Sequence, residues 1–235
     1  MAKKDIYIKI NGKRFKARKG QTILEVAHKN KIDVPSLCYH PDLCVKASCR
    51  VCVVEVKGRR LLQAACSTKV EEGMEIDTES ARVKKARKIN LELLFAQHQE
   101  ECADCVWNLR CELLRLAKKY GAEITRFLDR KSKHPVYNFG PGLLFDSTKC
   151  IDCRNCVEVC EKQGVGFLEI QGKGSFFQVV PSKKKDKDCI YCGQCLVHCP
   201  AGAFEGQGEF EDIERPIACL LYTSPSPRDL STSRM

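Results

Sequence analysis

The sequence predicts an α+β fold that is divided among three small modules rather than built around one large core. The chain has 235 residues and 17 cysteines, and fifteen of those cysteines fall into three groups of different spacing. Strand-like alternation dominates the first third of the chain, a helical pattern follows, and the last group uses one cysteine spacing twice. Modules of this size bury little apolar surface, so bound metal is expected to contribute much of their folding free energy.

The first module begins with a predicted β-hairpin, because two alternating segments flank the turn residues Asn11-Gly12. Thr22 and Glu25 have the spacing of a capping box and are expected to open a helix. A loop with four cysteines comes next, followed by β-branched strand residues at 51–56. This order is typical of a β-grasp domain of the plant-type [2Fe–2S] ferredoxin kind, which we place at residues 1–79.

The second module, residues 80–121, is predicted to be a small helical domain. Its apolar residues recur at three- and four-residue steps, at Val83, Ala86, Ile89, Leu93 and Ala96. Basic residues lie around them, at Arg82, Lys84, Lys85, Arg87 and Lys88. His98 ends this helix, Cys102 and Cys105 lie in a turn, Cys111 opens a second helix and Gly121 ends it. Both helices are therefore expected to converge on one metal site.

The third module, residues 143–215, follows a charged connector at 122–142 and carries the most specific motif of the chain. The spacing C-x2-C-x2-C-x3-C occurs twice and closes on Pro200, which is typical of a two-cluster bacterial-ferredoxin-like domain. In such a tandem the fourth cysteine of each run binds the other [4Fe–4S] cluster. The predicted ligand sets are therefore Cys150, Cys153, Cys156 with Cys199, and Cys189, Cys192, Cys195 with Cys160. Residues 172–187, rich in Gly and Lys, are predicted to form a solvated loop.

The ligands of the first two groups leave alternatives open when they are taken from spacing alone. Cys38, Cys49, Cys52 and Cys66 form the first group, but Cys44 stands at the plant-type C-x4-C-x2-C distance from Cys49. A lone histidine at a helix end is usually a cap or a surface residue. Residues 67–149 supply only three cysteines, so a four-ligand cluster there needs His98 or a ligand from elsewhere.

Two cysteines and the end of the chain stand outside these groups. Cys44 and Cys219 are left over, and Cys44 is expected to be a small buried side chain rather than a ligand. Residues 216–235 are not assigned to any domain, because residues 221–235 are Ser/Pro-rich and look like translated cloning or sequencing-adapter material.

The charge and the cysteine content restrict the class of protein. The chain lacks a secretory signal pattern and a long apolar segment, which predicts no membrane span and a cytoplasmic setting, free or at the periphery of a membrane complex. The formal net charge is +10, but fifteen thiolates and four clusters would lower it to roughly +3. No nucleic-acid partner is therefore expected, although a zinc-stabilised nucleic-acid-binding protein stays the alternative from another class.

The motifs together resemble a known family of electron-transfer proteins. The run Cys38-Tyr39-His40, the segments 49–56 and 65–66, and the stretch from His98 to Cys111 resemble the N-terminal region of NAD(P)-linked [FeFe]-hydrogenases. The large iron–sulfur subunit of respiratory complex I, the diaphorase small subunits of NAD-reducing hydrogenases and NAD-linked formate dehydrogenases share this region. The resemblance covers residues 4–215, and the close tandem followed by Gly164-Val165-Gly166 looks most like the hydrogenases.

The resemblance implies specific cofactors, ligands and partners. It implies a [2Fe–2S] cluster on Cys38, Cys49, Cys52 and Cys66, and a [4Fe–4S] cluster on His98, Cys102, Cys105 and Cys111, which brings the total to one [2Fe–2S] and three [4Fe–4S] clusters. The chain would relay electrons between a flavin subunit that oxidises NAD(P)H, or a ferredoxin, and a hydrogenase-type catalytic domain or subunit. The alternative is an electron-transfer subunit or fragment of a complex I-like NADH dehydrogenase, an NAD-reducing hydrogenase or a formate dehydrogenase. No catalytic residue is assigned within the chain.

Overall fold

The structure is a computed structural model that describes residues 5–98, 102, 105, 107–108, 110–127, 136–139, 142–184 and 186–206. It has the mixed α and β architecture that the sequence predicts. Cys219, the segment 216–235 and a part of the connector at 128–135 lie outside the described residues. Within the described part of the chain, no helix is long and apolar enough to cross a membrane.

A five-stranded sheet and one helix make up the first segment. In chain order the elements are β1 (Asp5–Ile10), β2 (Lys13–Arg18), α1 (Ile23–Lys29), β3 (Val53–Val56), β4 (Gln63–Ala64) and β5 (Glu75–Asp77). The strand order is β2-β1-β5-β3-β4, in which only β1 and β5 run parallel. Asn11 and Gly12 both have positive φ, as the tight turn between β1 and β2 requires.

The predicted capping box of α1 is confirmed. The Thr22 hydroxyl accepts the N–H of Glu25 at 3.2 Å, and the Glu25 carboxylate accepts the N–H of Thr22 at 2.9 Å. The helix buries Ile23, Leu24, Val26 and Ala27 against the sheet, where Ile8 and Ile10 are fully buried. This packed sheet and helix hold both ends of the cysteine loop between α1 and β3.

Two helices, α2 (Ala81–Phe95) and α3 (Glu112–Tyr120), pack against each other in the second segment. Ser80 caps α2, and Gly121 ends α3 in the left-handed conformation. The predicted faces of α2 were partly wrong, because Leu93 is 48% exposed while Arg87 and Glu92 are fully buried. Both buried charged groups are hydrogen-bonded, which offsets the cost of burying them on the packed face of the helix.

The third segment consists of short strands around two short helices. Its elements are β6 (Tyr137–Asn138), β7 (Leu143–Phe145), α4 (Asn155–Lys162), β8 (Leu168–Gln171), β9 (Gln178–Pro181), α5 (Gln194–Val197) and β10 (Phe204–Gly206). They form a three-stranded sheet in the order β10-β7-β6 and a β8-β9 hairpin. The solvated loop predicted for residues 172–187 was wrong over β9, because Phe177 and Val179 are buried in the aromatic core of this segment.

A shared core lies between the three segments. Its buried residues come from the cysteine loop, from α2 and α3, and from the tandem cysteine region. Leu37 and Val51 of the loop belong to this core, as do Leu91 of α2 and Leu116 of α3, and Ile151 of the tandem region. The three cysteine groups are therefore carried by elements that pack against one another.

Candidate metal-cluster sites

The structure brings Cys38, Cys49, Cys52 and Cys66 together as two thiol pairs. All four are buried, at 1 to 5% exposure. The Cys49 thiol donates to Cys38 and lowers the Cys38 pKa to about 5, and the Cys66 thiol lowers the Cys52 pKa to about 7 in the same way. The charges of Cys38 and Cys49 also raise the pKa of the Cys66 thiol, so the two pairs form one group.

Cys44, the competing residue of this loop, lies elsewhere. It is exposed, and both its N–H and its thiol bond to the Glu158 carboxylate of α4. That carboxylate raises the pKa of the Cys44 thiol. Cys44 is therefore directed toward the third segment, and it is not the buried side chain that the sequence predicted.

His98 lies at the end of α2 and is 5% exposed. Its Nδ1 is 2.8 Å from the Lys149 carbonyl oxygen, and its ring meets Phe95 edge-on. With the proton assigned to Nδ1 by this bond, Nε2 carries the lone pair that a metal would use.

Cys102, Cys105 and Cys111, the cysteines that follow His98, are half-buried and precede the first residue of α3. Cys111 is the N-cap residue of α3, and its Sγ accepts the N–H of Leu114 at 3.5 Å. Burial raises the pKa of the Cys111 thiol, and Cys105 lies within its electrostatic reach. Cys105 also acts on Lys149, the residue whose carbonyl holds His98. His98, Cys105 and Cys111 are therefore connected through Lys149, the residue before Cys150, and through the interaction of Cys105 with Cys111.

The cysteines of the tandem motif interact electrostatically both within and between its two halves. Burial raises the pKa of the Cys156 thiol well above the usual value, and the charges of Cys150, Cys153, Cys199 and Cys195 act on it in the same direction. Cys189, in contrast, interacts with Cys160 and Cys192. Cys160, Cys189, Cys192 and Cys195 line one small cavity of about 30 Å³ between Phe139, Phe167 and Tyr191.

The two halves of the tandem share the same backbone conformation around their cysteines. Asp152 and Arg154 have positive φ on either side of Cys153, and Tyr191 and Gly193 have it on either side of Cys192. These turns direct backbone N–H groups to sulfur, as in Asp152 N to Cys150 Sγ at 3.4 Å and Tyr191 N to Cys189 Sγ at 3.4 Å. Three of the four αL positions are not glycine, so the loops hold a strained conformation for a site.

Solvent reaches the two halves to different extents. Cys150, Cys153 and Cys156 are buried, whereas Cys192 is exposed. Around Cys192 the side chains of Ile190, Tyr191 and Val197 are 62%, 53% and 69% exposed. Cys192 and its apolar neighbours therefore lie at the surface, whereas Cys150, Cys153 and Cys156 lie inside.

Direct contacts connect the first cysteine group with the tandem. The charge of Cys38 acts on Cys153. His40 and His198, each within two residues of a candidate ligand, have ring centroids 4.6 Å apart. An ion pair joins Lys46 of the loop to Glu158 of α4, and both side chains are 14% exposed.

The donor atoms fit iron–sulfur clusters. Backbone N–H groups bond to the sulfurs of Cys111, Cys150, Cys160, Cys189 and Cys199, as they do in sites where they stabilise thiolate ligands. Burial raises the pKa of Cys153 and Cys156, so their ionisation needs a cationic cluster core nearby. Among the described residues, no group of three or more His, Cys, Asp or Glu is arranged to hold a single metal ion.

Family models match three parts of the chain. A 2Fe–2S iron–sulfur cluster binding domain matches residues 3–81, and a 4Fe–4S dicluster domain matches residues 149–203. The NADH-ubiquinone oxidoreductase-G iron–sulfur binding region matches residues 87–126. One [2Fe–2S] domain and [4Fe–4S]-binding domains are thus present, in the order that the sequence predicts.

Curated relatives and a solved structure extend these matches over most of the chain. The NADP-reducing hydrogenase subunit HndD of Solidesulfovibrio fructosivorans is 38% identical over 94% of the chain, and the NADH-ubiquinone oxidoreductase 75 kDa subunit of Reclinomonas americana is 33% identical over 83%. The chain spans 40% and 28% of their lengths, respectively. A chain in the crystal structure of the NAD+-reducing [NiFe]-hydrogenase in the H2-reduced state superimposes with a TM-score of 0.80 at 27% identity, covering 87% of this chain and 88% of that one. This chain is therefore an iron–sulfur electron-transfer module and belongs to the family that unites the iron–sulfur domains of NADH-quinone oxidoreductase G with those of the NAD-reducing hydrogenases.

Proposed function

We propose that the chain binds one [2Fe–2S] and three [4Fe–4S] clusters and relays electrons to a hydrogenase-type catalytic partner. Bound clusters would supply one-electron transfer, while the protein holds them in place and sets their potentials. One observation carries the proposal: the first and second cysteine groups both interact with the tandem region near Cys150 and Cys153. The proposed ligand sets are Cys38, Cys49, Cys52 and Cys66; His98, Cys102, Cys105 and Cys111; Cys150, Cys153, Cys156 and Cys199; and Cys160, Cys189, Cys192 and Cys195.

Three domains would carry these sets. We assign residues 1–79 to a β-grasp [2Fe–2S] domain, 80–121 to the His/Cys3 domain and 143–215 to the two-cluster ferredoxin domain, with 122–142 as connector. The five-stranded sheet with α1 supports the first assignment, and the α2–α3 pair supports the second. The repeated αL turns around Cys153 and Cys192 support the third.

The arrangement of the sets suggests a direction for the relay. The charge of Cys38 acts on Cys153 within the shared core, and His98 bonds the residue before Cys150, so both groups approach the buried Cys150 and Cys153. The set of Cys160, Cys189, Cys192 and Cys195, in which Cys192 is exposed, is then the outlet, and the apolar rim around Cys192 is the surface for the catalytic partner. The donor would be a subunit that oxidises NAD(P)H with a flavin, or a ferredoxin.

A second candidate is the electron-transfer subunit of an NAD-reducing hydrogenase or of a complex I-like enzyme. The similarity to the [NiFe]-hydrogenase structure favours it, because 88% of that chain is covered. To separate the two candidates, the chain is mixed with either kind of partner and its reduction by hydrogen is measured. The partner that supports this reduction identifies the candidate.

Anaerobic purification tests the proposal and its ligands. We expect a brown protein with iron and acid-labile sulfide in amounts that match four clusters. Cys38→Ser should lose the [2Fe–2S] EPR signal, whereas Cys44→Ser, the matched change in the same loop, should keep it. A colourless protein with stoichiometric zinc and no sulfide would instead favour the nucleic-acid-binding alternative.

A further inference from the structure

A buried arginine lies behind the first cysteine group. Arg87 of α2 is fully buried, and its Nη2 donates to the Val53 carbonyl oxygen at 3.1 Å. Val53 directly follows Cys52, one of the four buried thiols of that group. One turn later on the same helix, Asn90 Nδ2 donates at 2.7 Å to the carbonyl oxygen of Arg50, between Cys49 and Cys52. Helix α2 thus holds the backbone on both sides of Cys52, and Arg87 brings a fixed positive charge to it.

The surroundings of Arg87 compensate this charge only in part. Nη1 donates to the Tyr120 hydroxyl at 2.8 Å, and the guanidinium lies 5.5 Å from the Tyr120 ring centroid. Its ion-pair partner, Glu79, is 3.4 Å away and 45% exposed, so water screens that carboxylate. Asp33 and Lys119 also face this region, but they bond to each other at 2.6 Å. The uncharged partners Val53 and Tyr120 make the closest contacts.

Stability alone is a weak explanation for this residue. Arg87 Nε has no hydrogen-bond partner among the described residues, so burial leaves part of the guanidinium unsatisfied. Replacement of a buried charged group by an apolar residue of similar volume is often neutral or stabilising. A positive charge retained at this cost, beside a group of four thiolate donors, has a role in the charge balance of the site.

We propose that Arg87 is a positioning residue that raises the reduction potential of the [2Fe–2S] site. The inference rests on the proposed function, since it concerns the Cys38, Cys49, Cys52 and Cys66 ligand set. Reduction adds one electron to a site that four thiolates already make negative, so a buried cation nearby stabilises the reduced form more than the oxidised form. Tyr120 lies at the far end of α3 from Cys111, which directs the effect of Arg87 to the [2Fe–2S] site rather than to the His98 set.

The test is a redox titration of the holoprotein followed by EPR. Arg87→Gln should shift the [2Fe–2S] midpoint potential downward, and Arg87→Lys, which keeps the charge, should restore most of it. Lys85→Gln removes an exposed charge from the same helix, and its smaller effect should vanish at high salt, whereas the Arg87→Gln shift should persist. The [4Fe–4S] signals of the same sample serve as the internal reference.

Several outcomes would overturn the proposal while leaving the electron-transfer function intact. Arg87→Gln with full iron and sulfide and an unchanged [2Fe–2S] potential would overturn it, and so would equal shifts in the Gln and Lys variants. If Arg87→Gln fails to fold, Glu79→Gln takes its place and should raise the potential at low ionic strength. A lowered or unchanged potential in that variant would also overturn the proposal. Absence of iron and sulfide in the unaltered protein would instead contradict the proposed function itself.

Discussion

At the scale of single residues, His98 is the ligand candidate that differs most from its neighbours. It is a neutral donor, so the cluster it would hold carries one negative charge less than an all-cysteine cluster. The Lys149 carbonyl fixes the ring through Nδ1 at 2.8 Å, which leaves Nε2 as the donor atom. The same bond connects His98 to Lys149, the residue before Cys150, which is a candidate ligand of the neighbouring site.

Changing His98 tests both its ligation and its effect on the potential. His98→Cys should keep the cluster and lower its midpoint potential, because a thiolate replaces a neutral imidazole. His98→Ala should lose the cluster signal. EPR-monitored redox titration and iron analysis measure both outcomes. Unchanged cluster content and potential in His98→Ala would show that His98 is not a ligand.

At the scale of secondary structure, local signals predicted the elements whose stability is local. The Asn11-Gly12 turn and the capping box of Thr22 and Glu25 depend on residues a few positions apart, and both formed as expected. The buried face of α2 could not be predicted in this way. The partners of Arg87 and Glu92 come from β3 and from residues beyond α3. The local sequence of α2 therefore could not show which charged side chains are buried. Strand β9 was missed in a similar way, because the lysines that follow it led to the prediction of a loop.

The capping box offers a quantitative test of this local contribution. Thr22→Ala removes the acceptor for the Glu25 N–H and should destabilise the protein by about 1 kcal/mol, measured by denaturant unfolding. Thr125→Ala, at an exposed position outside the regular elements, is the control and should change stability by less than about 0.5 kcal/mol. Equal effects of the two substitutions would contradict the role of the cap.

At the scale of the whole molecule, spacing predicted which cysteines group together but not how the groups meet. The crossed tandem stays a prediction from its motif: Cys189 interacts with Cys160, but both Cys199 and Cys195 act on Cys156. Nothing in the spacing placed Cys38 beside Cys153, because that contact depends on how separate segments pack. Cys44 shows the same limit. A lone cysteine that is not a ligand is usually buried, but Cys44 is exposed and its partner, Glu158, is 114 residues away in the sequence.

Glu158 of α4 connects the first loop with the tandem region. It accepts from the Cys44 N–H and pairs with Lys46, and Lys46 also reaches Asn155 at 3.3 Å. Because both partners of the ion pair are only 14% exposed, this pair should contribute more than a typical surface pair does. It spans the gap between the Cys38 and Cys150 sets, so it should hold them at a fixed separation.

Substitution of Glu158 tests whether this connection sets the distance between the two sites. Glu158→Gln should retain full iron and sulfide but weaken the magnetic interaction between the reduced [2Fe–2S] and [4Fe–4S] clusters in EPR spectra. A double-mutant cycle with Lys46→Met should give a coupling energy of about 0.5–3 kcal/mol. Glu161→Gln, an exposed change on the same helix, should leave the spectra and the stability unaltered. Spectra of Glu158→Gln that match those of Glu161→Gln would show that packing in the shared core, rather than this ion pair, fixes the separation.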